Sequence, residues 1–426
     1  LQYDKQVKIT EKDKIDYANR GFIKSVHKDE LLIEYIKPKS GKAGRNCRGE
    51  YMQPKDPLEN FVPTFTTDET IKMIDSEKNI EYRSVENGYV TLEGNVYTIK
   101  SEVDVGEISF KTTGSITAGI DSEVTMIVKE SDSEKDAVGT GMIVEVSEID
   151  IDGNVGSNAK VTAIKANIGG QTHKTAIVTA EYLNINVHKG KAYGKNIHIT
   201  RLEHGDVDGD IVDITQAIGG HIRAKEITID LCGSYVKATA SRLIEIKKLQ
   251  GSENVFIINP VLQKTEKDGL DENKDGIQEL KNDVKSIKKE INKYIKLIKE
   301  NLTTFNDVKK RLIHYKKNGV KMPESFVKHY KQYQKMQEHL VNIEKEYKTK
   351  SDRLTLLTTK TASFQDNIFD ARIINRDKWV GRNELIFKLV DPPIEVSINP
   401  EEGSPEKVFA IVELEDGSYE IQSVHE

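Results

Sequence analysis

Between residues 149 and 258, hydrophobic positions alternate with polar ones in short segments. Five of these segments share the order apolar, polar, apolar: 183–185, 197–199, 212–214, 227–229 and 244–246. This alternation is typical of a β-strand with one buried face. The first residues of the segments lie 14 to 17 positions apart, and glycines such as Gly205 and Gly220 stand between them. The pattern therefore predicts short strands joined by sharp turns.

A short, regular period is typical of a solenoid, in which each layer covers the apolar face of the next. We predict a right-handed parallel β-helix over residues 101–262, in which one repeat is either a complete turn or part of one. An antiparallel β-sandwich also has short strands at regular spacing, and it is the alternative.

Two series of apolar residues then step by three and four positions. The first is Ile277, Leu280, Val284, Ile287, Ile291, Tyr294 and Ile298, and the second is Phe326, Tyr330, Tyr333, Met336, Leu340, Ile343, Tyr347, Leu354 and Leu357. Such spacing forms the seam of a coiled coil. Gly319 and Pro323 separate the series, because glycine ends helices and proline fits a first turn. We predict an antiparallel coiled-coil hairpin over residues 263–361, whose seam tyrosines either fill the interface or await a partner.

The first 100 residues form a β-rich N-terminal domain in this interpretation. Alternating segments at 21–26 and 30–36 predict strands, and further strand-like segments run through 88–99. Thr66 and Glu69 have the spacing of a capping box, which predicts a short helix through Ile74. At the other end of the chain, residues 362–426 return as strands that pack on the body or cap the stack.

A glycine-punctuated loop in the N-terminal domain carries five cationic side chains: Lys37, Lys39, Lys42, Arg45 and Arg48. It is not a phosphate-binding Walker loop, because Ala43 follows Lys42 where that motif has Ser or Thr. We therefore interpret the loop as an interaction surface.

The charge of the chain is unevenly distributed, although the net charge is only −6. Residues 263–361 carry 24 Lys and Arg against 15 Asp and Glu, so the rest of the chain has a charge of −15. Such opposed charges favour contacts between arm and body, or with an anionic surface. The alternative is the ordinary solvated surface of a coiled coil.

Neither a membrane-spanning run nor a signal peptide is recognisable. The two cysteines, Cys47 and Cys232, have no metal-ligand or redox spacing, which suits a reducing compartment. We therefore expect a cytoplasmic protein.

Candidate metal sites are weak. Asp271, Asn273 and Asp275 match the first half of a calcium loop, but Asn282 stands where that loop has a bidentate glutamate. A charged turn is the preferred interpretation.

Three histidines, His188, His204 and His221, recur at nearly the layer period, and a metal could bind between them. Exposed turn residues are the preferred interpretation. Three carboxylates share one turn: Asp206, Asp208 and Asp210. No nucleophile accompanies them, and no nucleophile elbow, zinc-protease helix or dinucleotide fingerprint occurs. We therefore predict no catalytic residue, no metal and no cofactor.

The chain resembles the bacterial flagellar assembly protein A family. The resemblance rests on Pro38, Gly41, Gly44 and Gly49, on the β-helical run from 106–110 through 218–224, and on the coiled-coil arm. It covers nearly the whole chain and departs from the family in the polar stretch at 130–136. The core also resembles that of the polymer-forming bactofilins. The resemblance implies a cytoplasmic, non-enzymatic protein involved in flagellar assembly or placement.

We therefore predict a scaffold or adaptor that binds protein partners of the flagellar or polar-placement machinery. The predicted interaction surface comprises the five basic-loop cations and, on the arm, Tyr315, Lys316, Lys317, Lys321, Tyr330 and Tyr333. The chain could also form homo-oligomers through the coiled coil. Contact with a membrane surface is possible but is not predicted. Nucleic-acid binding is not expected, because the body is acidic. The alternatives are a polymer-forming cytoskeletal element and an enzyme acting on polysaccharides along the solenoid.

Overall fold

Strands make up 45% of the chain, which confirms the mainly β class with a helical arm. The computed structural model describes residues 21–55, 63–130, 132, 135–262, 264–320, 323–390 and 392–425, and the side chains at 264–276 and 360–367 lie outside that description. The chain divides into two compact units. One contains the N-terminal region and the solenoid, and the other contains the two long helices.

The β-rich N-terminal region is built from two small sheets. Its strands are β1 (Ser25–Val26), β2 (Leu31–Ile36), β3 (Gly44–Arg45), β4 (Tyr51–Met52), β5 (Thr66–Thr67), β6 (Ile71–Asp75), β7 (Asn79–Ser84), β8 (Gly88–Glu93) and β9 (Val96–Lys100). One sheet has the order β1-β8-β9-β5 and the other β2-β7-β6, while β3 and β4 form a separate hairpin. Side chains from both sheets share one core: Val26, Leu32, Ile71, Tyr82 and Ile99.

The short helix predicted from Thr66 through Ile74 is wrong. Strands β5 and β6 occupy this stretch. The Thr70 amide and hydroxyl both donate to Oδ1 of Asp68, at 3.0 and 2.5 Å, so Asp68 closes a turn between the strands. Asp, like Ser and Thr, bonds its neighbouring backbone in turns as readily as at helix starts. The core position of Ile71 then decides in favour of the strand.

The middle of the chain is a β-solenoid of about 7 turns. Its strands are β10 (Glu102–Val105), β11 (Ile116–Thr117), β12 (Thr125–Lys129), β13 (Asp136–Val138), β14 (Ile143–Glu145), β15 (Glu148–Asp152), β16 (Asn154–Val155), β17 (Lys160–Gln171), β18 (Ile177–His188), β19 (Lys191–Glu203), β20 (Asp206–Asp208), β21 (Ile211–Ile218), β22 (Gly220–Cys232), β23 (Val236–Leu249) and β24 (Asn254–Ile258). Their pairings with one another are parallel, which excludes the antiparallel sandwich. The right-handed sense stays a prediction.

The five predicted strand cores stack directly on one another. Leu183, Ile197, Val212, Ile227 and Ile244 are successive partners in the parallel ladder. Each is at most 2% exposed, as are the residues two positions further along. One repeat is therefore one complete turn. Burial of each such side chain contributes about 2 kcal/mol, so the stack supplies the core that no single layer could form.

Each turn has two further ladders. The inward residues of the second are Val161, Val178, Ala192, Val207, Ile222, Ala238 and Phe256. Those of the third are His188, Leu202, Ala217, Cys232 and Leu249. All of them are buried. The third ladder thus places a histidine and a cysteine inside the solenoid.

The helices α1 (Lys264–Lys317) and α2 (Glu324–Asp370) interrupt the solenoid between β24 and the next strand, β25 (Arg372–Asn375). Segment 243–246 of β23 pairs in parallel with β25, so the first ladder resumes in register after the insertion. At about 1.5 Å per residue the helices are about 80 and 70 Å long. The hairpin was predicted over residues 263–361, and α2 extends beyond that range to Asp370.

Four more strands complete the C-terminal part: β26 (Asn383–Lys388), β27 (Glu395–Ile398), β28 (Val408–Glu413) and β29 (Tyr419–Ser423). β26 continues the second ladder in parallel with β24, whereas β27 and β28 pair antiparallel to β26 and β25. Trp379 is buried here, and its Nε1 donates to the Glu406 carbonyl at 2.8 Å. The antiparallel strands cover the edge of the last parallel layer, as a solenoid end requires.

Candidate functional site

The seam of the arm is filled by aromatic side chains from both helices. Phe305 of α1 stacks on Tyr333 and Tyr330 of α2, with ring centroids 4.0 and 5.2 Å apart. Tyr333 is only 3% exposed. Both tyrosines had been predicted to belong to an interaction surface, and the structure places them within the hairpin. This favours the interpretation that tyrosines fill the seam.

Pairs of polar side chains connect the two helices in the part of the arm nearer its chain ends. Lys350 Nζ lies 2.8 Å from Asp283 Oδ2 on the other helix and 3.1 Å from Glu346 Oε1 on its own. His339 Nε2 lies 3.5 Å from Glu290 Oε1. Residues further along α1 meet residues nearer the start of α2: Asp283 meets Lys350, and Phe305 meets Tyr333. The helices are therefore antiparallel.

We define the arm tip as residues 309–320 and 323–331. Its cations are Lys309, Lys310, Arg311, Lys316, Lys317, Lys328 and Lys331, against the single carboxylate of Glu324. Among the described residues, none of these cations forms an ion pair; Arg311 lies over the ring of Phe326, 5.7 Å from its centroid. Lys321 lies outside the described residues. The tip therefore carries positive charge that the arm itself does not compensate.

The backbone at the tip forms a defined helix-ending turn. Gly319 has φ of +64°, and the Val320 amide donates to the Tyr315 carbonyl at 3.1 Å. This is a Schellman motif, in which glycine takes the left-handed position after the helix. A shallow recess of about 530 Å³ lies at the turn, and it is lined by Lys310, Arg311, His314, Tyr315, Asn318 and Val320.

Val320 is 56% exposed and Ile313 is 58% exposed. The tip thus combines lysines with uncovered apolar side chains. Of the predicted arm residues, Lys316 and Lys317 are exposed, and Tyr315 is half-buried in the recess wall.

The cations of the predicted basic loop differ in their contacts. Lys37 forms an ion pair with Asp75 and donates to the Ser76 carbonyl at 2.8 Å. Lys39, Lys42, Arg45 and Arg48 are exposed. The loop's second half is the hairpin β3–β4, in which Arg45 lies opposite Tyr51.

Asn46 organises the turn of this hairpin. Its Oδ1 accepts from the amides of Arg48 and Glu50, at 2.9 and 3.0 Å, and its Nδ2 donates to Glu50 Oε2 at 2.7 Å. The turn displays Cys47 and Arg48, and the following strand displays Tyr51 and Met52, which are 68% and 57% exposed. Sequence reasoning had singled out the arginines and missed the two apolar residues beside them.

The carboxylates of the solenoid's acidic turn face basic side chains of the next turn. Three carboxylates each meet a base one layer on: Asp206 and His221 at 3.1 Å, Asp208 and Arg223 at 2.7 Å, Asp210 and Lys225 at 3.0 Å. Further cross-turn pairs join Glu181 to Lys195, Glu226 to Arg242 and Asp230 to Lys247. Members of the first three pairs are 15 positions apart, which is the layer period. Opposite charges repeated at this period are a signal of cross-turn pairing, and the sequence interpretation did not use it.

The three histidines have different environments. His188 is fully buried in the third ladder, where its Nδ1 is 2.8 Å from the Thr172 hydroxyl, and burial lowers its pKa to about 4. The preferred prediction of an exposed turn residue is therefore wrong for His188. His221 is exposed beside Asp206, and His204 has φ of +55°. In the described part of the chain, no three His, Cys, Asp or Glu side chains form a group that could hold a metal. Asp271, Asn273 and Asp275 lie outside the described side chains.

Among the described helices, none is long and apolar enough to cross a membrane. Cys232 is buried in the third ladder, and this burial raises the pKa of its thiol to about 12.

Residues 2–95 match the family described as Flagellar Assembly Protein A N-terminal region. The match supports the flagellar assembly protein A family and confirms the resemblance for these residues. It is consistent with a role in flagellar assembly, and the family name suggests an assembly factor rather than an enzyme. The matched residues include the β3–β4 hairpin. No curated protein and no solved structure matches the chain.

Proposed function

We propose that this chain is a non-enzymatic cytoplasmic scaffold that binds a protein partner of the flagellar assembly machinery through the β3–β4 hairpin. The observation that carries the proposal is the exposure of Arg48, Tyr51 and Met52 on one ordered hairpin. Tyr, Met and Arg are the residue types enriched in protein interfaces, and Tyr and Arg are frequent in hot spots. The hairpin also lies within the residues that match the family.

The hairpin's organisation supports a binding role. A two-stranded hairpin alone is marginally stable, and here the side chain of Asn46 supplies three hydrogen bonds to its turn. A turn held in this way loses less conformational entropy when a partner binds. The exposed cations of the loop favour a partner with an acidic rim.

The natural cysteines allow a direct test. Cys47 is exposed in the hairpin turn, whereas Cys232 is buried with a raised thiol pKa, so a thiol-reactive photo-crosslinker will label Cys47. Labelled full chain is irradiated in lysate from flagellated cells. We expect capture of a flagellar assembly protein. The labelled Arg48→Glu/Tyr51→Ala variant should capture at least about tenfold less of it.

The matched control is Lys174→Glu/Tyr182→Ala, which makes the same charge change and removes an exposed tyrosine on the solenoid. Equal capture by both double variants would refute the hairpin site. Capture of proteins without any effect of the hairpin variant on flagellar number in cells would refute the flagellar role.

A polysaccharide-acting enzyme remains the second candidate because of one observation. A recess of about 410 Å³ on the solenoid is lined by Lys191, Tyr193, Asp206, Asp208, His221 and Arg223, among others. Both carboxylates, however, face a base within 3.1 Å. Polysaccharide hydrolysis that disappears in Asp208→Asn would establish this candidate in place of the scaffold.

The polymer-forming alternative requires solenoid ends that can stack. The antiparallel pairing of β27 and β28 at the C-terminal end weighs against it. Self-association through the coiled coil stays a prediction, and the filled aromatic seam at Phe305 and Tyr333 weighs against that route too.

A further inference from the structure

We propose that the arm tip binds the surface of an anionic lipid bilayer. The proposal is independent of the hairpin and of its protein partner. It rests on the seven described cations of the tip, on their lack of ion-pair partners within the described chain, and on the apolar side chains exposed among them.

The first step of the argument is charge. Several cations of the solenoid face a carboxylate one layer away, as Lys225 faces Asp210 and Lys247 faces Asp230. At the tip a single carboxylate, Glu324, accompanies seven cations. Clusters of four to eight Lys and Arg on one surface are the composition that recognises anionic headgroups.

The second step is the position of the apolar residues. Val320 lies directly after Gly319 in the turn that joins the helices, and more than half of its surface is exposed. Ile313 is exposed near the end of α1, next to the recess residue His314. The Nε2 of His314 lies 3.0 Å from Nδ2 of Asn318 in the turn. Apolar side chains bordered by lysines suit the boundary between headgroups and acyl chains.

The third step is shape. The cations come from the end of α1 and the start of α2, on both sides of the turn, and the recess between Lys310, Arg311 and Asn318 is shallow. The headgroups of a bilayer are mobile, so they can adjust to cations that come from both helices, and the recess is open to one phosphate group. An acidic protein would have to match the same distribution in three dimensions. The geometry therefore favours the bilayer over a protein ligand.

The test is sedimentation of the full chain with vesicles of phosphatidylcholine alone, and with vesicles of three parts phosphatidylcholine to one part phosphatidylglycerol. We expect binding only to the anionic vesicles, and a fall of that binding as salt is raised. Lys316→Glu/Lys317→Glu should weaken binding by at least about tenfold, because two attractive charges become repulsive.

The matched control is Lys288→Glu/Lys289→Glu, which makes the same change at two adjacent exposed lysines of α1 away from the tip. This variant should bind within about twofold of the unchanged chain, since charges beyond a Debye length are screened. Val320→Asn tests the apolar contact without a change of charge and should also reduce binding, while helix content by circular dichroism stays unchanged.

Three outcomes would overturn the proposal. These are the absence of sedimentation with anionic vesicles, equal sedimentation with both compositions, and equal loss in the tip and control variants. If the chain fails to bind vesicles but binds an acidic protein in a way that depends on Lys316 and Lys317, the tip is a protein-binding site instead. Crosslinking from Cys47 is read out separately, so either proposal can fail alone.

Discussion

The solenoid and the arm tip use the same charged residues with opposite results. In the solenoid, parallel strands in register place a residue beside the one a single period later, so Asp208 meets Arg223 and Asp210 meets Lys225. In the arm, antiparallel helices bring the end of α1 beside the start of α2, and both ends are rich in lysine. Net charge from sequence therefore misleads about both regions. Topology determines which charges are neutralised and which remain available for a ligand.

The solenoid and the arm as a whole should also differ in how their cores respond to truncation, and this is the largest expected effect. Ile229 is fully buried between turns, whereas Ile343 lies in the two-helix seam at 5% exposure. Ile229→Ala should cost about 4 kcal/mol and Ile343→Ala about 2, because helices can close on a cavity that stacked strands cannot. Denaturant unfolding would measure the first by fluorescence of Trp379, the single tryptophan, and the second by ellipticity at 222 nm.

Equal costs at the two sites would contradict the distinction between a rigid and an adjustable core. Ile211→Ala is the control for the solenoid, because Ile211 is 44% exposed and its loss should cost less than about 1 kcal/mol.

A second effect of burial in the solenoid is a dependence on pH. The folded-state pKa of His188 is about 4, against 6.5 in an unfolded chain, so the folded state holds the neutral ring. Stability from this group is present above pH 6.5 and is lost as pH falls from 6.5 towards 4, by about 3 kcal/mol in total. Unfolding free energies measured across that range on the unchanged chain and on His188→Gln would show it.

His221→Gln is the control, because His221 is exposed beside Asp206. A pH slope that survives in His188→Gln but disappears in His221→Gln would assign the effect to the wrong histidine and refute the prediction.

The smallest expected effect concerns the cross-turn ion pairs themselves. A double-mutant cycle with Asp208→Asn and Arg223→Gln should give a coupling of about 0.5 kcal/mol, because both side chains are partly solvated. Raising the salt concentration should reduce it further. A coupling above about 2 kcal/mol would mean that the pairs are a principal source of stability and are little screened by solvent.

Much of the architecture follows from periodicity. The apolar cores at 183–185 and 244–246 predicted a stack with a period of about 15, and the series around Ile287 and Ile343 predicted the hairpin. Both are local patterns, and a local pattern suffices where neighbours in space are also regularly spaced in sequence. The helix predicted after Thr66 is wrong because its local pattern is ambiguous. Asp68 can close a turn or cap a helix, and the contact of Ile71 with the shared core selects the strand.

The candidate sites are less accessible to sequence reasoning. Arg48 and Lys316 were singled out by charge, and both are exposed. Tyr333 was also selected, although it lies in the seam. An aromatic residue at helical spacing fits an interface within the chain as well as one with a partner, and the pattern does not distinguish them. Tyr51 and Met52 carry no periodic signal, and their exposure emerges only from the hairpin.

By itself, the amino-acid sequence determined the solenoid and the hairpin, because repeated apolar spacing admits few stable packings. Tertiary structure alone decided which side of each turn faces inward, so that His188 and Cys232 are buried and His221 is not. It also decided that Lys225 is neutralised while Lys316 is not. The physical reason is that burial and ion pairing depend on distances between chain segments, and those distances exist only once the turns have stacked and the helices have paired.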